Sequence, residues 1–304
     1  MVQKDRLIVV CGPTASGKSA LAVEIAEKFD GEIISADSVS VYRGLDIGSA
    51  KPTEEERKRA VHRLIDVASP FEEFSVSEYE KLALPVVYDA IKRGKIPVVC
   101  GGTGFYINSI LYKMSYGNSK GDREIREKYA ELVEKRGKSY IFGLLKKVDP
   151  ETAAKLHEND VVRVVRALEI FESTGVKKSD IKDEKIQRFD PFVILTEMPR
   201  EKLYARINAR VDEMIKRGLE REVKGLLSEG VCLENQCMQG IGYKEIAESG
   251  KADEETVEKI KMNSRRYAKR QITFFKRYEN ARAIDTENLA DKEKLFEEIK
   301  NFLK

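Results

Sequence analysis

The sequence predicts an α/β fold in which a parallel sheet core is interrupted by an inserted all-helical domain. Three observations lead there. Residues 12–19 match G-x4-G-K-[ST] in full, apolar strand-like runs alternate with helix-periodic segments up to about residue 116, and residues 117–188 are polar and helix-periodic without a convincing strand. A phosphate-binding loop set between a buried strand and an amphipathic helix makes the core P-loop NTPase-like.

In chain order, Leu7–Cys11 is a short buried-strand run, and Ser19–Phe29 places Leu21, Ile25 and Phe29 on one helical face. Glu32–Ser35 reads as a second strand. Ser77-x-x-Glu80 reads as a capping box opening a helix to about Arg93, and Pro85 should kink or break that helix. Ile96–Cys100 is another buried strand, and Gly101-Gly102-Thr103-Gly104 turns into a further helix. Asp122–Arg136, Tyr140–Lys147, Pro150–Leu156 and Val161–Ser173 look helical. Phe192–Thr196 and Arg282–Asp285 return to strand character. The predicted division is therefore 1–116 with 189–304 as a discontinuous core, and 117–188 as the insertion.

Composition narrows the function. The 304 residues are 41% apolar and 35% charged with a net charge of only +3, so any nucleic-acid surface must come from local charge. The N-terminal apolar run ends after five residues in a glycine turn, and no stretch approaches a bilayer span of about 20 residues, so a cytoplasmic protein without a membrane segment is expected. Cys11 and Cys100 end apolar runs and read as buried thiols. Cys232 and Cys237 lack the second pair or histidines that a zinc site needs.

The loop Gly12-Pro13-Thr14-Ala15-Ser16-Gly17-Lys18-Ser19 is the strongest chemical signal. Its glycines let backbone N–H groups converge on phosphate oxygens. The helix N-terminus adds a favourable dipole, Lys18 a point charge, and the Ser19 hydroxyl a ligand for Mg²⁺. Ile96–Cys100 ends in Gly-Gly-Thr without a carboxylate, and there is no N-K-x-D tetrapeptide, which argues against a motor or switch NTPase. A transferase, a small-molecule kinase and an RNA-binding protein all remain open at this point. Asp37, directly after the second strand, belongs on the same rim as the loop, as a base, a metal ligand or simply the cap of a turn. From Lys259 to Arg277 there are eight basic residues and no acid, the pattern expected for phosphate-backbone contacts; Arg265, Lys269 and Lys276 share one predicted face.

The run Asp37-Ser38-Val39-Ser40-Val41-Tyr42-Arg43-Gly44-Leu45-Asp46-Ile47-Gly48-Ser49-Ala50-Lys51-Pro52 is far more specific than the loop alone. With His62–Asp66, Gly101–Thr103, Asn159–Glu169, Gly242-Tyr243 and Lys269–Thr273, in order over nearly the whole chain, the sequence resembles the bacterial tRNA dimethylallyltransferase family. The resemblance implies transfer of a five-carbon prenyl group from dimethylallyl diphosphate to N6 of the adenine immediately 3′ of the tRNA anticodon. It implies a P-loop that cradles the leaving diphosphate with Mg²⁺, and Asp37 as general base. Thr103 matches the family threonine of the diphosphate region. One of Arg206 and Arg210 matches the arginine that closes on the diphosphate, with Arg206 favoured. Contacts to tRNA are implied for Asp37, Ser38, Val39, Ser40, Thr103, Arg126, Val162, Arg163, Arg166, Gln239, Gly242, Tyr243, Lys244, Lys269, Arg270, Gln271 and Lys276. The insertion is expected to grip the anticodon stem-loop, and a monomer is expected. Val162 stands where bacterial relatives often carry Gln, and no zinc-finger extension of the eukaryotic type follows the basic helix, so recognition is expected to manage without it.

Overall fold

The computed structural model describes residues 4–115, 121–181 and 186–304. They form two compact units, one of residues 1–112 with 187–304 and one of residues 113–186. The expected boundary between 116 and 117 lies outside the described residues.

The first unit opens with β1 (Arg6–Cys11), α1 (Lys18–Lys28), β2 (Gly31–Ser35), α2 (Glu54–Arg59), β3 (His62–Arg63), α3 (Val76–Lys92), β4 (Ile96–Gly101) and α4 (Gly104–Leu111). The strand β5 (Tyr112–Lys113) precedes the second unit, which contains α5 (Arg123–Arg136), α6 (Lys138–Val148), α7 (Pro150–Ala154) and α8 (Val161–Thr174). After β6 (Ile186–Gln187), which pairs with β5, come β7 (Asp190–Glu197), α9 (Arg200–Lys216), α10 (Leu219–Ser228), α11 (Tyr243–Ser249), α12 (Glu254–Phe275), β8 (Arg282–Asp285) and α13 (Leu289–Leu303).

The main sheet has the order β3-β2-β4-β1-β7-β8 and every pairing in it is parallel. The central strand β1 alternates its side chains between two cores. Leu7, Val9 and Cys11 enter the cluster that receives α3, α4 and Phe275 of α12, while Ile8 and Val10 enter the one formed with α1 and α13. A strand covered on both faces must be apolar throughout, which is why Leu7–Cys11 carries no polar alternation. Register sets the C-terminal ends level: Cys11 lies opposite Gly101 on one side and Leu195 on the other, and Ser35 lies opposite Cys100. The loops that follow these strands therefore share one rim.

Two expectations for α3 need correction. Its capping box is Ser75 with Glu78, not Ser77 with Glu80; the Ser75 hydroxyl accepts the Glu78 N–H at 3.2 Å, and the Glu78 carboxylate accepts the Ser75 N–H at 2.6 Å. The helix also continues through Pro85. Pro85 and Lys81, whose carbonyl loses its helical donor, both lie on the exposed side, where water can satisfy that oxygen. The second unit has its own core of Tyr129, Ile141, Leu145, Val164 and Leu168.

Candidate active site

β1 ends in Gly12, where the backbone needs both a positive φ of 149° and the absence of a side chain, because a Cβ would lie 2.1 Å from the Thr196 Oγ1 atom. The loop is braced from behind. Ser16 is fully buried, its hydroxyl donating to the Pro13 carbonyl at 2.8 Å and meeting the Thr196 hydroxyl at 2.5 Å. The Thr286 hydroxyl donates to the Ser16 carbonyl at 3.0 Å. Gln271 of α12 accepts the Thr14 N–H at 2.8 Å and donates to the Gly102 carbonyl at 3.0 Å, tying the loop to the Gly-Gly-Thr turn. Among the described residues, the N–H groups of Gly17, Lys18 and Ser19 at the start of α1 find no partner. A braced loop with open N–H groups at a helix N-terminus is an anion seat.

Two cations face that seat. Among the described residues the Lys18 ammonium reaches only the Pro13 carbonyl, at 3.3 Å; burial, then the nearby Arg210 guanidinium, lowers its pKa. Arg210 of α9 is likewise pushed down by burial, while the Asp37 charge opposes the shift. Neither forms an ion pair among the described residues. A cavity of about 700 Å³ receives Lys18, Asp37 and Arg210 together. On α9, Ile207, Val211 and Met214 line the same cavity, so one helix presents a guanidinium inside an apolar stripe at i, i+3, i+4 and i+7.

Asp37 follows β2. Its Oδ1 atom accepts the N–H groups of Val39 at 2.9 Å and Ser40 at 3.0 Å, so the turn-capping reading holds for one oxygen. Among the described residues Oδ2 accepts no hydrogen bond. Thr103, at the N-terminus of α4, accepts the Ser38 N–H at 3.0 Å and donates to the Ser38 hydroxyl at 3.2 Å, stitching the two turns together. Tyr267, on the cavity wall, has its hydroxyl 3.5 Å from the Gly102 carbonyl; burial and then the Asp37 charge push its pKa up to about 12.

The structure revises several expected site residues. Arg206 is bound to Glu287 at 2.8 Å on the surface and does not line the cavity, so the favoured arginine changes to Arg210. One helical turn separates them, and only packing decides which faces inward. Tyr243 is fully buried, and Gln271, 5% exposed, lines the cavity rather than the outer surface. The Tyr243 hydroxyl donates to Glu222 at 2.5 Å and accepts the Gly48 N–H at 3.1 Å. Gly242 holds a positive φ at the start of α11, and the exposed Gln239 and Lys244 are joined at 3.2 Å. The basic run is partly neutralised by acids outside its window: Lys259 pairs with Glu248 and Lys261 with Asp212, each at 2.9 Å, and Arg265 turns to Asn208 of α9 at 2.6 Å. Lys269, Arg270 and Lys276 are exposed and form no ion pair among the described residues.

In the second unit, Arg126 and Arg166 both close on Glu169, at 2.8 and 2.7 Å, and Val162 is 80% exposed. Arg163 pairs with Asp160 at 3.0 Å.

Several site residues escaped the sequence reading. Glu222 accepts the N–H groups of Asp46, Ile47 and Gly48 and so fixes the turn within the Asp37–Pro52 run. Thr196 on β7 and Thr286 in the turn just after β8 brace the loop from far away in sequence. The apolar stripe on α9 was legible as helical spacing; what it faces was not. Cys11 and Cys100 are buried, as expected. Among the described residues no group of three His, Cys, Asp or Glu side chains could hold a metal, and no helix is long and apolar enough to cross a membrane. The Ser19 hydroxyl is exposed and has no partner among the described residues, so it fits a hard cation as one oxygen ligand among others.

A parallel sheet with this loop at the central strand defines a P-loop protein of the NTPase-like class. Comparison with known proteins narrows the class. The IPP transferase family model matches residues 40–278, and the isopentenyl transferase model matches residues 5–72. Proteins described as tRNA dimethylallyltransferase from Thermoanaerobacter pseudethanolicus and Caldanaerobacter subterraneus are each 47% identical over 98% of this chain and 97% of their own. The crystal structure of a tRNA isopentenylpyrophosphate transferase from Bacillus halodurans superposes with a TM-score of 0.72 at 39% identity, covering 99% of this chain and 96% of that one. A eukaryotic dimethylallyltransferase acting on tRNA superposes with a TM-score of 0.75 at 32% identity, covering 89% of this chain and 69% of that one. The chain belongs to the IPP transferase family.

Proposed function

We propose that this protein transfers a dimethylallyl group from dimethylallyl diphosphate to tRNA, at N6 of the adenine immediately 3′ of the anticodon. The observation that carries the reading is the α9 wall. A cavity that sets Arg210 and Lys18 beside Ile207, Val211 and Met214 suits a ligand with an anionic head and a short hydrocarbon tail.

In this reading the diphosphate lies in the loop, against the N–H groups of Gly17, Lys18 and Ser19. As the allylic C–O bond breaks, its electrons pass to the diphosphate, and Lys18, Arg210 and the helix N-terminus stabilise the charge that develops there. Mg²⁺, when bound, would be held by the Ser19 hydroxyl and supplies further charge neutralisation on the leaving group. The adenine N6 lone pair forms the new C–N bond, and the N6 proton passes to the free oxygen of Asp37. Two backbone N–H groups hold the other oxygen in place, so the base needs no reorientation. Ser38, Val39 and Ser40 line the same cavity, so the acceptor base enters beside the carboxylate, flipped out of the loop.

Lys269, Arg270 and Lys276 then meet the tRNA backbone, and residues 113–186 grip the stem-loop through Val162 and Arg163. A cytoplasmic monomer goes with this role. Incubation with labelled dimethylallyl diphosphate and unmodified tRNA tests the proposal. Label on adenosine supports it, and label that stays with the diphosphate, or ATP-dependent phosphorylation instead, rejects it.

A further inference from the structure

Beside the Thr103 turn, the surface carries an aromatic pair, Phe105 and Phe274, with no role assigned above. Along α12, Tyr267, Arg270 and Phe274, with Arg277 just beyond the helix end, are spaced i, i+3, i+7 and i+10 and follow one face. The Arg270 guanidinium lies 5.5 Å from the Tyr267 ring centre, and that of Arg277 lies 5.7 Å from the Phe274 ring. The Phe274 ring meets Phe105 of α4 at 5.5 Å and 60°. Phe105 is 57% exposed, more than any other aromatic side chain among the described residues.

The patch is held rigidly. A Cβ on Gly104 would lie 2.0 Å from the Phe274 ring, so the turn admits no side chain between them. One turn further along α4, the Tyr278 hydroxyl donates to the Asn108 side chain at 2.6 Å and locks the two helices together. Its charge is unopposed: Lys269, Arg270, Lys276 and Arg277 form no ion pair among the described residues. It also runs out from the reaction site, because Tyr267 and Arg270 line the cavity while Phe274 lies about 10 Å beyond Tyr267 and about 6 Å beyond Arg270 along the helix axis.

An exposed ring beside guanidinium groups that lie over the neighbouring rings suits an unpaired nucleotide, which brings a flat π surface and a phosphate together. A base-paired stem offers no free face, and an apolar protein segment has no use for the cations. We propose that Phe105, backed by Phe274 and with Arg277 alongside, forms a stacking platform for an unpaired tRNA-loop base neighbouring the one that enters the cavity. The inference rests on the tRNA reading above and adds Phe105 to it as a positioning residue.

The test uses a synthetic anticodon stem-loop with 2-aminopurine placed in turn at the loop positions flanking the target adenine. With the wild-type protein, the fluorescence of one flanking position should be quenched on binding. Phe105→Ala should abolish that quench and raise the KM for the stem-loop by about 5–20-fold. The same variant should leave kcat and the KM for the prenyl diphosphate within about two-fold. Phe105→Tyr should keep both the quench and the KM. Phe105→Ala should not change the salt dependence of binding, whereas Arg277→Gln should lower its log–log slope by about one. An unchanged KM and quench in Phe105→Ala would overturn the platform. So would a raised KM with the quench intact, since that marks a purely structural effect. If the wild-type protein modifies or binds no stem-loop at all, the tRNA reading fails first and the platform with it.

Discussion

The cavity and the helical unit each gather two cationic side chains and dispose of the charge in opposite ways. In the helical unit Arg126 and Arg166 close on Glu169, which is fully buried and also accepts the Asp122 N–H at 2.6 Å. That charge is consumed in holding α5 to α8. In the cavity Lys18 and Arg210 stand near each other and near Asp37, yet neither has an ion-pair partner among the described residues. Burying cations without partners is unfavourable, and here burial lowers the pKa of both. The contrast separates an electrostatic joint from a pair of neighbouring cations beside a helix N-terminus, an arrangement suited to an anion.

The largest expected effect falls on the carboxylate in the cavity. Asp37→Asn should lower single-turnover transfer by about 10²–10⁴-fold and leave tRNA affinity within about three-fold. Lost tRNA binding with an undiminished rate in the bound complex would move Asp37 from base to structural cap. Next comes the arginine pair one turn apart. Arg210→Gln should lower kcat/KM for the prenyl diphosphate by about 10²-fold, and Arg206→Gln by less than about three-fold. The reverse order would reinstate Arg206.

Stability sharpens the same contrast. Glu169→Gln removes the buried carboxylate charge that two guanidinium groups share and should cost the helical unit about 1–3 kcal/mol, read as faster hydrogen exchange across 121–181. Arg210→Gln removes a cation that has no ion-pair partner among the described residues and should leave the melting temperature unchanged or raised. Equal losses in the two variants would erase the distinction. Neutralising Lys269 and Arg270 together should lower the salt slope of tRNA binding by about two.

The smallest effect concerns acid stability. Arg93 first, with Arg63, holds the buried Glu32 carboxyl down at about 2 from an ordinary 4.5. A depressed carboxyl stabilises fully above its unfolded pKa and loses that contribution as the pH falls through the folded one. Wild type should therefore lose more stability than Glu32→Gln between pH 4.5 and 2.

Much of the fold was legible because its signals are local. Buried strands announce themselves by continuous apolar runs, and Arg282–Asp285 was read to the residue. The loop at 12–19 needed only its own glycines, lysine and serine. Short elements such as α2 and β3 were missed because six charged residues and a two-residue strand carry no period to detect. The α3 cap slipped by two residues because Ser75-x-x-Glu78 and Ser77-x-x-Glu80 are the same motif in overlapping frames. The choice between them depends on which turn the chain enters first.

Tyr243 and Gln271 show the limit more sharply. Both sit in stretches that read as polar surface, and both are buried because they satisfy backbone groups distant in sequence, at Gly48 in one case and at Thr14 and Gly102 in the other. The amino-acid sequence by itself determined the strand–loop–helix that seats an anion, the carboxylate after the second strand and the basic character of α12, since each depends on residues close together in the chain. Only the tertiary structure decided that Arg210 rather than Arg206 faces the cavity, which cations keep their charge, and that an apolar wall stands beside them. Those outcomes depend on which carboxylates and side chains packing brings within a few ångströms, and spacing along the chain carries no record of that.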